Sequence, residues 1–245
     1  MPKLENKITK MPDESKEIID GTKKLKEGSS LYDYWLREYK GVNPETGVAE
    51  YRAVSYVPSN SRITASGDTL TNNIANARYW YNGTSIADLT GSVNTSLTYK
   101  GFSLSALMVY QLGGKIYDGA YASLMSAGYH SAKHVDILKR WVNPGDITEV
   151  PRMDNGRTAD FDAASDRWLI DGSFMNIRTV TLSYRIPKSF MSKLKIDNAQ
   201  VYVSGENFLM LSRRSGMNVQ QNFGGTTSNV YSPAKSLVLG ISFSL

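Results

Sequence analysis

Residues Ser236 to Leu245 read SLVLGISFSL. Side chains alternate sides along an extended chain, so Leu237, Leu239, Ile241, Phe243 and Leu245 fall on one face. Ser236, Val238, Gly240, Ser242 and Ser244 fall on the other. One face is wholly apolar, the other is made of small groups, and neither carries a charge. A soluble sheet normally sets lysine and glutamate on its wet face to block edge pairing. This segment does not, and the same pattern recurs upstream.

Val93, Thr95, Leu97 and Tyr99 share a face, Lys100-Gly101 supplies a minimal turn, and Phe102, Leu104, Ala106, Met108 and Tyr110 continue the alternation. The spacing predicts further strands over Phe174–Ile186, stopped by Pro187, and over Ala199–Leu211. In the latter, Val201, Val203, Leu209 and Leu211 oppose Tyr202, Phe208 and Met210. Near the start, LYDYWLREY (Leu31–Tyr39) is a strand candidate, followed by the turn Asn43-Pro44-Glu45-Thr46-Gly47. Tyr79-Trp80-Tyr81 is another.

Alternation is shared by a soluble β-sandwich and a membrane barrel, and three features favour the barrel. The strands at 91–99, 102–112 and 236–245 contain no charged residue. A minimal turn (100–101) and a compact one (187–198) alternate with long connections (113–172, 212–235), as in barrels with short turns on one rim and long loops on the other. Aromatic residues (Tyr99, Phe102, Tyr110, Tyr184, Phe243) gather near strand ends, where interfacial girdles sit. No stretch approaches the roughly 18 apolar residues of a membrane-spanning helix, a test that a barrel escapes.

Composition narrows the function. The chain has 245 residues, 28 basic against 23 acidic, so its net charge is +5, spread without the basic block that grips nucleic acid. With no cysteine and two histidines, thiol chemistry and cysteine zinc sites are excluded, and histidine catalysis has little material. Tyrosine outnumbers phenylalanine 15 to 7, a bias suited to surfaces that are partly apolar and partly wet.

The 113–172 connection carries short helices, expected over Tyr121–Ala127 and Ala132–Trp141, the latter closed by Asn143-Pro144-Gly145-Asp146. His130 and His134 would share a helix face with Asp136 nearby, but the zinc-protease glutamate is absent and no third ligand can be named. The pair reads as loop histidines, and a metal hydrolase built on it is the weakest of the functional readings. Asp160, Asp162, Asp166 and Asp171 have calcium-like spacing without the glycine and glutamate of the helix-loop-helix site, and read as solvated carboxylates or caps. The expectation is no metal, no cofactor and no catalytic residue. Tyr79, Trp80, Tyr81 and Trp141 are the candidate contacts for substrate or partner. In a secreted, soluble β-sandwich the same four would make a carbohydrate-binding module.

Three runs, SDRWLIDGSFMNIRTVTLSYRIP (Ser165–Pro187), AQVYVSGENFLMLSR (Ala199–Arg213) and YSPAKSLVLGISFSL (Tyr231–Leu245), resemble the C-terminal region of SusC/RagA-type TonB-linked outer-membrane proteins. WVNPGDITEVPR (Trp141–Arg152), LTYKGFSLSALMVYQLGGKIYD (Leu97–Asp118) and EYKGVNPETGVAEY (Glu38–Tyr51) are similar to further segments, in order, over roughly residues 5–245. The resemblance implies an all-β fold: C-terminal antiparallel strands of a large transmembrane β-barrel, with long extracellular loops carrying short helices. It implies that residues 1–245 are the C-terminal part of a receptor barrel, without signal peptide or plug, and that 113–172 is extracellular. Such proteins import glycans, oligosaccharides or peptides across the outer membrane with a SusD-like surface lipoprotein and the TonB system, here reached through a missing N-terminal part. Implied partners are that lipoprotein, outer-membrane lipid and the barrel-assembly machinery, and no nucleic acid. The C-terminus would be periplasmic. Leu237, Leu239, Ile241, Phe243 and Leu245 would face lipid on the barrel-closing strand, which ends in leucine where an aromatic is common. The chain alone would not be transport-competent.

Overall fold

In a computed structural model, residues 6–12, 14–127, 131–154, 161–191, 196–214, 217–221, 224–227 and 233–244 are described. Among the described residues fifteen strands run in the order β1 (Glu17–Asp20), β2 (Lys23–Lys26), β3 (Asp33–Arg37), β4 (Tyr39–Val42), β5 (Ala49–Arg52), β6 (Ser61–Ile63), β7 (Thr69–Thr71), β8 (Tyr79–Thr84), β9 (Leu89–Tyr99), β10 (Phe102–Leu112), β11 (Lys115–Tyr117), β12 (Leu169–Asp171), β13 (Phe174–Arg185), β14 (Asn198–Ser212) and β15 (Ser236–Ser244). Two short α-helices, α1 (Gly119–Leu124) and α2 (Lys188–Met191), and a few 3-10 turns accompany them. No described helix is long and apolar enough to cross a membrane, which leaves a strand-built span untouched.

The chain forms two compact units. One gathers 1–86, 115–170 and 222–229; the other gathers 87–114, 171–221 and 230–245.

The second unit is a five-stranded antiparallel sheet in the order β15-β14-β13-β10-β9. Its longest uninterrupted register joins β9 and β10, from Phe102↔Tyr99 to Leu112↔Leu89. The connecting residues Lys100 and Gly101 have φ of 46° and 88°. That is the pair of left-handed conformations a two-residue hairpin needs to match strand twist. The strands at 174–186 and 199–211 form as expected from alternation. What alternation did not show is a double irregularity: the register slips between Leu107/Met108 on β10 and between Ile177/Thr179 where β13 meets β14. Asn207, at φ 49°, takes the left-handed conformation on β14. The extra residue on β13 brings Ile177 and Met175 onto the face of Val180, Leu182 and Tyr184, although their parity differs. Phe208, expected beside Tyr202 and Met210, lies instead 3.1 Å from where a Cβ on Gly205 would point. The bulge has turned it to the face of Gly205.

The first unit holds the sheet β1-β2-β3-β8, the sheet β4-β5-β7-β6 and the ribbon β11-β12. Its principal core is Tyr34, Leu36, Tyr117, Met125, Phe161 and Trp168 with smaller neighbours. A second cluster sets Tyr51 against Ala49 and Ala77. Helix α1 is capped by Asp118, whose side chain accepts from Tyr121 N. The helix expected over Ala132–Trp141 is reduced to a 3-10 turn, Val135–Lys139. Only Ile137 there is buried, whereas Val135 and Leu138 are 68% and 70% exposed, so no apolar face exists to anchor a longer helix.

Candidate functional site

Directly opposed residues in an antiparallel sheet share a face, so the register of the second unit shows what each side offers. One rung runs Leu239–Val203–Leu182–Leu104–Leu97, and the next runs Ile241–Val201–Tyr184–Phe102–Tyr99. On the opposite side, rungs run Gly240–Tyr202–Ser183–Ser103–Thr98 and Val238–Ser204–Thr181–Ser105–Ser96. One side is therefore a broad apolar field and the other a field of hydroxyls, joined by Thr181–Ser204 (2.8 Å) and Thr98–Ser103 (3.0 Å) hydrogen bonds. Among the described residues nothing covers the apolar side of β15: Leu237, Leu239, Ile241 and Phe243 are 73%, 78%, 70% and 63% exposed. Leu245 lies outside the described residues. A contiguous apolar face this large marks contact with lipid or another protein surface. At the hairpin end the apolar rung closes in aromatic rings, with Phe102 and Tyr184 centroids 4.5 Å apart.

Both sides contain a glycine opposite a tyrosine. A Cβ at Gly91 or at Gly240 would overlap the ring of its cross-strand partner, Tyr110 or Tyr202. The ring covers the backbone that glycine leaves bare, and the pair pins the register.

The first unit disperses the four aromatic candidates. Alternation sends Tyr79 and Tyr81 to one side of β8, where they flank Trp35 with centroids at 6.2 and 4.7 Å. Cations top the group: Lys24 Nζ lies 4.6 Å from the Trp35 ring, Lys26 Nζ 5.3 Å from Tyr81, and the Arg37 guanidinium 4.6 Å from Tyr79. Trp80 points away and donates through Nε1 to Asp166 Oδ2 at 3.3 Å. Trp141 donates through Nε1 to Pro44 O at 2.8 Å. It packs on the 43–47 turn, where a Cβ on Gly47 would overlap its ring. The structure thus groups Tyr79 and Tyr81 with Trp35, and leaves Trp80 and Trp141 each with its own partner.

The titratable candidates resolve into structural roles. His134 Nδ1 accepts from Asp136 N and caps the 3-10 turn, while His130 lies outside the described residues, as does Asp160. Asp166 accepts from Tyr39 N at 2.8 Å, Asp171 accepts from Ser173 N and Oγ, and Asp162 is exposed. Burial pushes the Asp166 carboxyl up, against those hydrogen bonds. No cluster fit to hold a metal occurs among the described residues. The polar centre that alternation gave no sign of is an ion-pair network on β4, β5, β6 and the residues just before β4 and β8. Glu38, 5% exposed, is held by Lys40 at 2.8 Å and by Arg78, with Arg52 at 4.0 Å. Glu50 takes Arg62 through both oxygens, at 2.6 and 2.5 Å, with Asn43 Nδ2 at 2.9 Å.

No family model matches the chain. Among curated proteins it is similar to TonB-dependent receptor P3 of Formosa agariphila, 26% identical over 228 residues, covering 89% of this chain and 22% of that protein. TonB-dependent receptor P39 of the same organism is 28% identical over 141 residues, covering 56% of this chain and 13% of the relative. Of solved structures, the RagAB peptide transporter matches 97% of this chain with a TM-score of 0.79 at 23% identity. The chain resembles a section of a SusC/RagA-type TonB-dependent receptor. The RagAB peptide importer in its closed-closed state gives 0.77 at 22% identity, again over 97% of this chain and 26% of that one. The fold is that of a section of the RagAB transporter's β-barrel, and the chain spans about a quarter of the length of the solved neighbours and less of the curated relatives. In such a barrel section a sheet with one apolar and one hydroxyl side is what a wall between lipid and an aqueous lumen requires.

Proposed function

We propose that this chain supplies wall strands and extracellular loops of a TonB-dependent outer-membrane transporter that imports glycans, oligosaccharides or peptides. The carrying observation is the pair of sheet faces, apolar rungs such as Leu239–Val203–Leu182–Leu104–Leu97 backed by rungs of serine and threonine. Leu237, Leu239, Ile241, Phe243 and Leu245 face lipid on this reading. The minimal turn Lys100–Gly101 and the connection across 187–198 are periplasmic, as is the C-terminus, and the long segments 113–172 and 212–235 are extracellular. Tyr79 and Tyr81, with Trp80 and Trp141 as separate anchors, contact substrate or a SusD-like lipoprotein. The peptide named for the RagAB neighbours makes peptides one substrate class to test.

Among the described strands β15 and β9 leave the two edges of the sheet open. A channel needs a closed barrel, so the chain by itself does not transport. It depends on further strands for closure, on the assembly machinery for insertion and on the TonB system for energy.

An antibody against residues 113–172 used on outer-membrane and soluble fractions of the source cells tests this. The expected result is a band confined to the outer membrane. A band of 27.2 kDa confined to the soluble fraction would overturn the reading.

A further inference from the structure

The apolar side of the second unit's sheet ends in aromatic rings at the β9–β10 hairpin. Its rung Ile241–Val201–Tyr184–Phe102–Tyr99 is followed there by Phe243 opposite Ala199. Tyr99, Phe102 and Phe243 are 66%, 51% and 63% exposed. Rings that are apolar in body and polar at one end settle where hydrocarbon meets headgroups.

Cations stand just past the rings. Lys100 follows Tyr99 in the turn, and its Nζ lies 5.2 Å from the Tyr99 ring centroid, which sets the ammonium beside a ring of the apolar side. Lys188 opens helix α2 three residues past the end of β13, and the connection 187–198 holds three lysines against one aspartate in its sequence. Among the described residues neither Lys100 nor Lys188 forms an ion pair. At the other end of the sheet the charges balance, Asp88 and Asp171 against Arg213 and Arg214.

The backbone at Lys100 is a second, independent observation. Its φ of 46° is left-handed, a conformation that asparagine and glycine take readily and lysine does not. Asn-Gly is the pair that such a two-residue turn favours. Holding a lysine there strains the turn, and such strain gathers at functional positions.

We propose that the hairpin end of the apolar side binds the phosphate headgroup of an anionic phospholipid. Lys100 is the principal cation and Lys188 the second, while Tyr99, Phe102 and Tyr184 form the floor under the glycerol and upper acyl chains. The inference rests on the membrane-wall reading above and deepens it by naming the lipid class. Charge selects the headgroup, because each lysine near an anionic membrane surface strengthens binding about fivefold. Apolar surface selects a lipid over a soluble acidic partner, because the rings continue directly into the Leu239–Val203–Leu182–Leu104–Leu97 rung. Arg185 supplies the contrast: it lies opposite Gln200, in the rung of Ser242, on the hydroxyl side.

The test uses receptor extracted from its outer membrane in detergent and titrated with dioleoylphosphatidylglycerol or dioleoylphosphatidylcholine, with bound lipid counted by native mass spectrometry. The parent is expected to prefer phosphatidylglycerol by about fivefold for each of the two lysines. Lys100→Asn is expected to weaken phosphatidylglycerol about fivefold, to leave phosphatidylcholine unchanged, and to slow amide exchange at Tyr99–Phe102 as the turn loses its strain. A purely structural role for Lys100 would not move affinity and hairpin stability in opposite directions. Lys100→Asn combined with Lys188→Gln is expected to abolish the preference, and Arg185→Gln to keep it. Equal binding of the two lipids by the parent, an unchanged preference in Lys100→Asn, or an equal loss in Arg185→Gln overturns the site and leaves the transporter reading standing. Displacement of phosphatidylglycerol by inorganic phosphate alone assigns the cations to a free anion and overturns the lipid. Receptor absent from the outer membrane overturns both readings.

Discussion

Glu38 shows how a single residue is held against the cost of burial. Burial pushes its carboxyl up, but the hydrogen bonds from Lys40 and Arg78 and their charges outweigh it, and the net displacement is below the ordinary glutamate range. A depressed carboxylate contributes stability that is complete above its unfolded value, about pH 4.3, and is lost as pH falls through the folded value. Asp166, pushed up mainly by burial and also by the nearby Glu38 charge, acts with the opposite sign: its ionisation is the costly state, and acid relieves it. The expected outcome is that Glu38→Gln lowers stability at neutral pH and flattens the acid side of the pH–stability curve, measured by tryptophan fluorescence in urea. An equally steep acid limb would show that other carboxylates control it. Gly47 is a second point of leverage. Its φ is 72°, and a side chain there would overlap the Trp141 ring. Gly47→Ala should cost about 1–3 kcal/mol and shift Trp141 emission, since left-handed strain and overpacking add.

The hairpin β9–β10 has its strand identity in its alternation and its register in its turn. Gly101 carries φ 88° and lies under Arg185 O, 3.3 Å from where a Cβ would sit. Gly101→Ala is expected to cost about 1–2 kcal/mol and to raise amide exchange at the Tyr99–Phe102 end of the hairpin first. Replacing Lys100 by glycine should have the opposite effect, because φ 46° is a strain for lysine and not for glycine. The 3-10 turn at Val135–Lys139 is the counterexample. Helical spacing of Val135, Leu138 and Trp141 pointed to a helix, but spacing reports only which residues could share a face. With Val135 and Leu138 in solvent and Trp141 on the 43–47 turn, no partner surface exists to reward the helix.

Across the sheet, position on one face or the other should govern tolerance to charge. Leu239→Lys places an ammonium in the apolar field and is expected to lower stability in lipid by about 2–4 kcal/mol, less toward the interface. Ser242→Lys, on the hydroxyl side of the same strand, is expected to be accepted within about 0.5 kcal/mol. The comparison is read from insertion into lipid vesicles and from urea midpoints in micelles. Equal effects at the two positions would contradict a wall between lipid and water. In buffer without detergent the apolar field and the two open edges predict self-association.

Period-two alternation in 91–99, 102–112, 174–186, 199–211 and 236–245 determined by itself that these are strands with one apolar side, because side-chain direction is a local consequence of extended backbone. The resemblance to TonB-linked barrels rests separately on contiguous runs such as Ser165–Pro187, Ala199–Arg213 and Tyr231–Leu245. Alternation gave no account of the double irregularity at Ile177–Thr179 and Asn207, which keeps Ile177 and Met175 in line with Val180 and turns Phe208 over Gly205. A bulge is a mismatch between two strands and has no signature in either one alone. The same limit hid the Trp35 partnership of Tyr79 and Tyr81, the cations gathered on Glu38, and the hydrogen bond from Asn176 Nδ2 to Gln220. Each joins residues far apart in the chain, and only the tertiary fold decides which of many such residues meet.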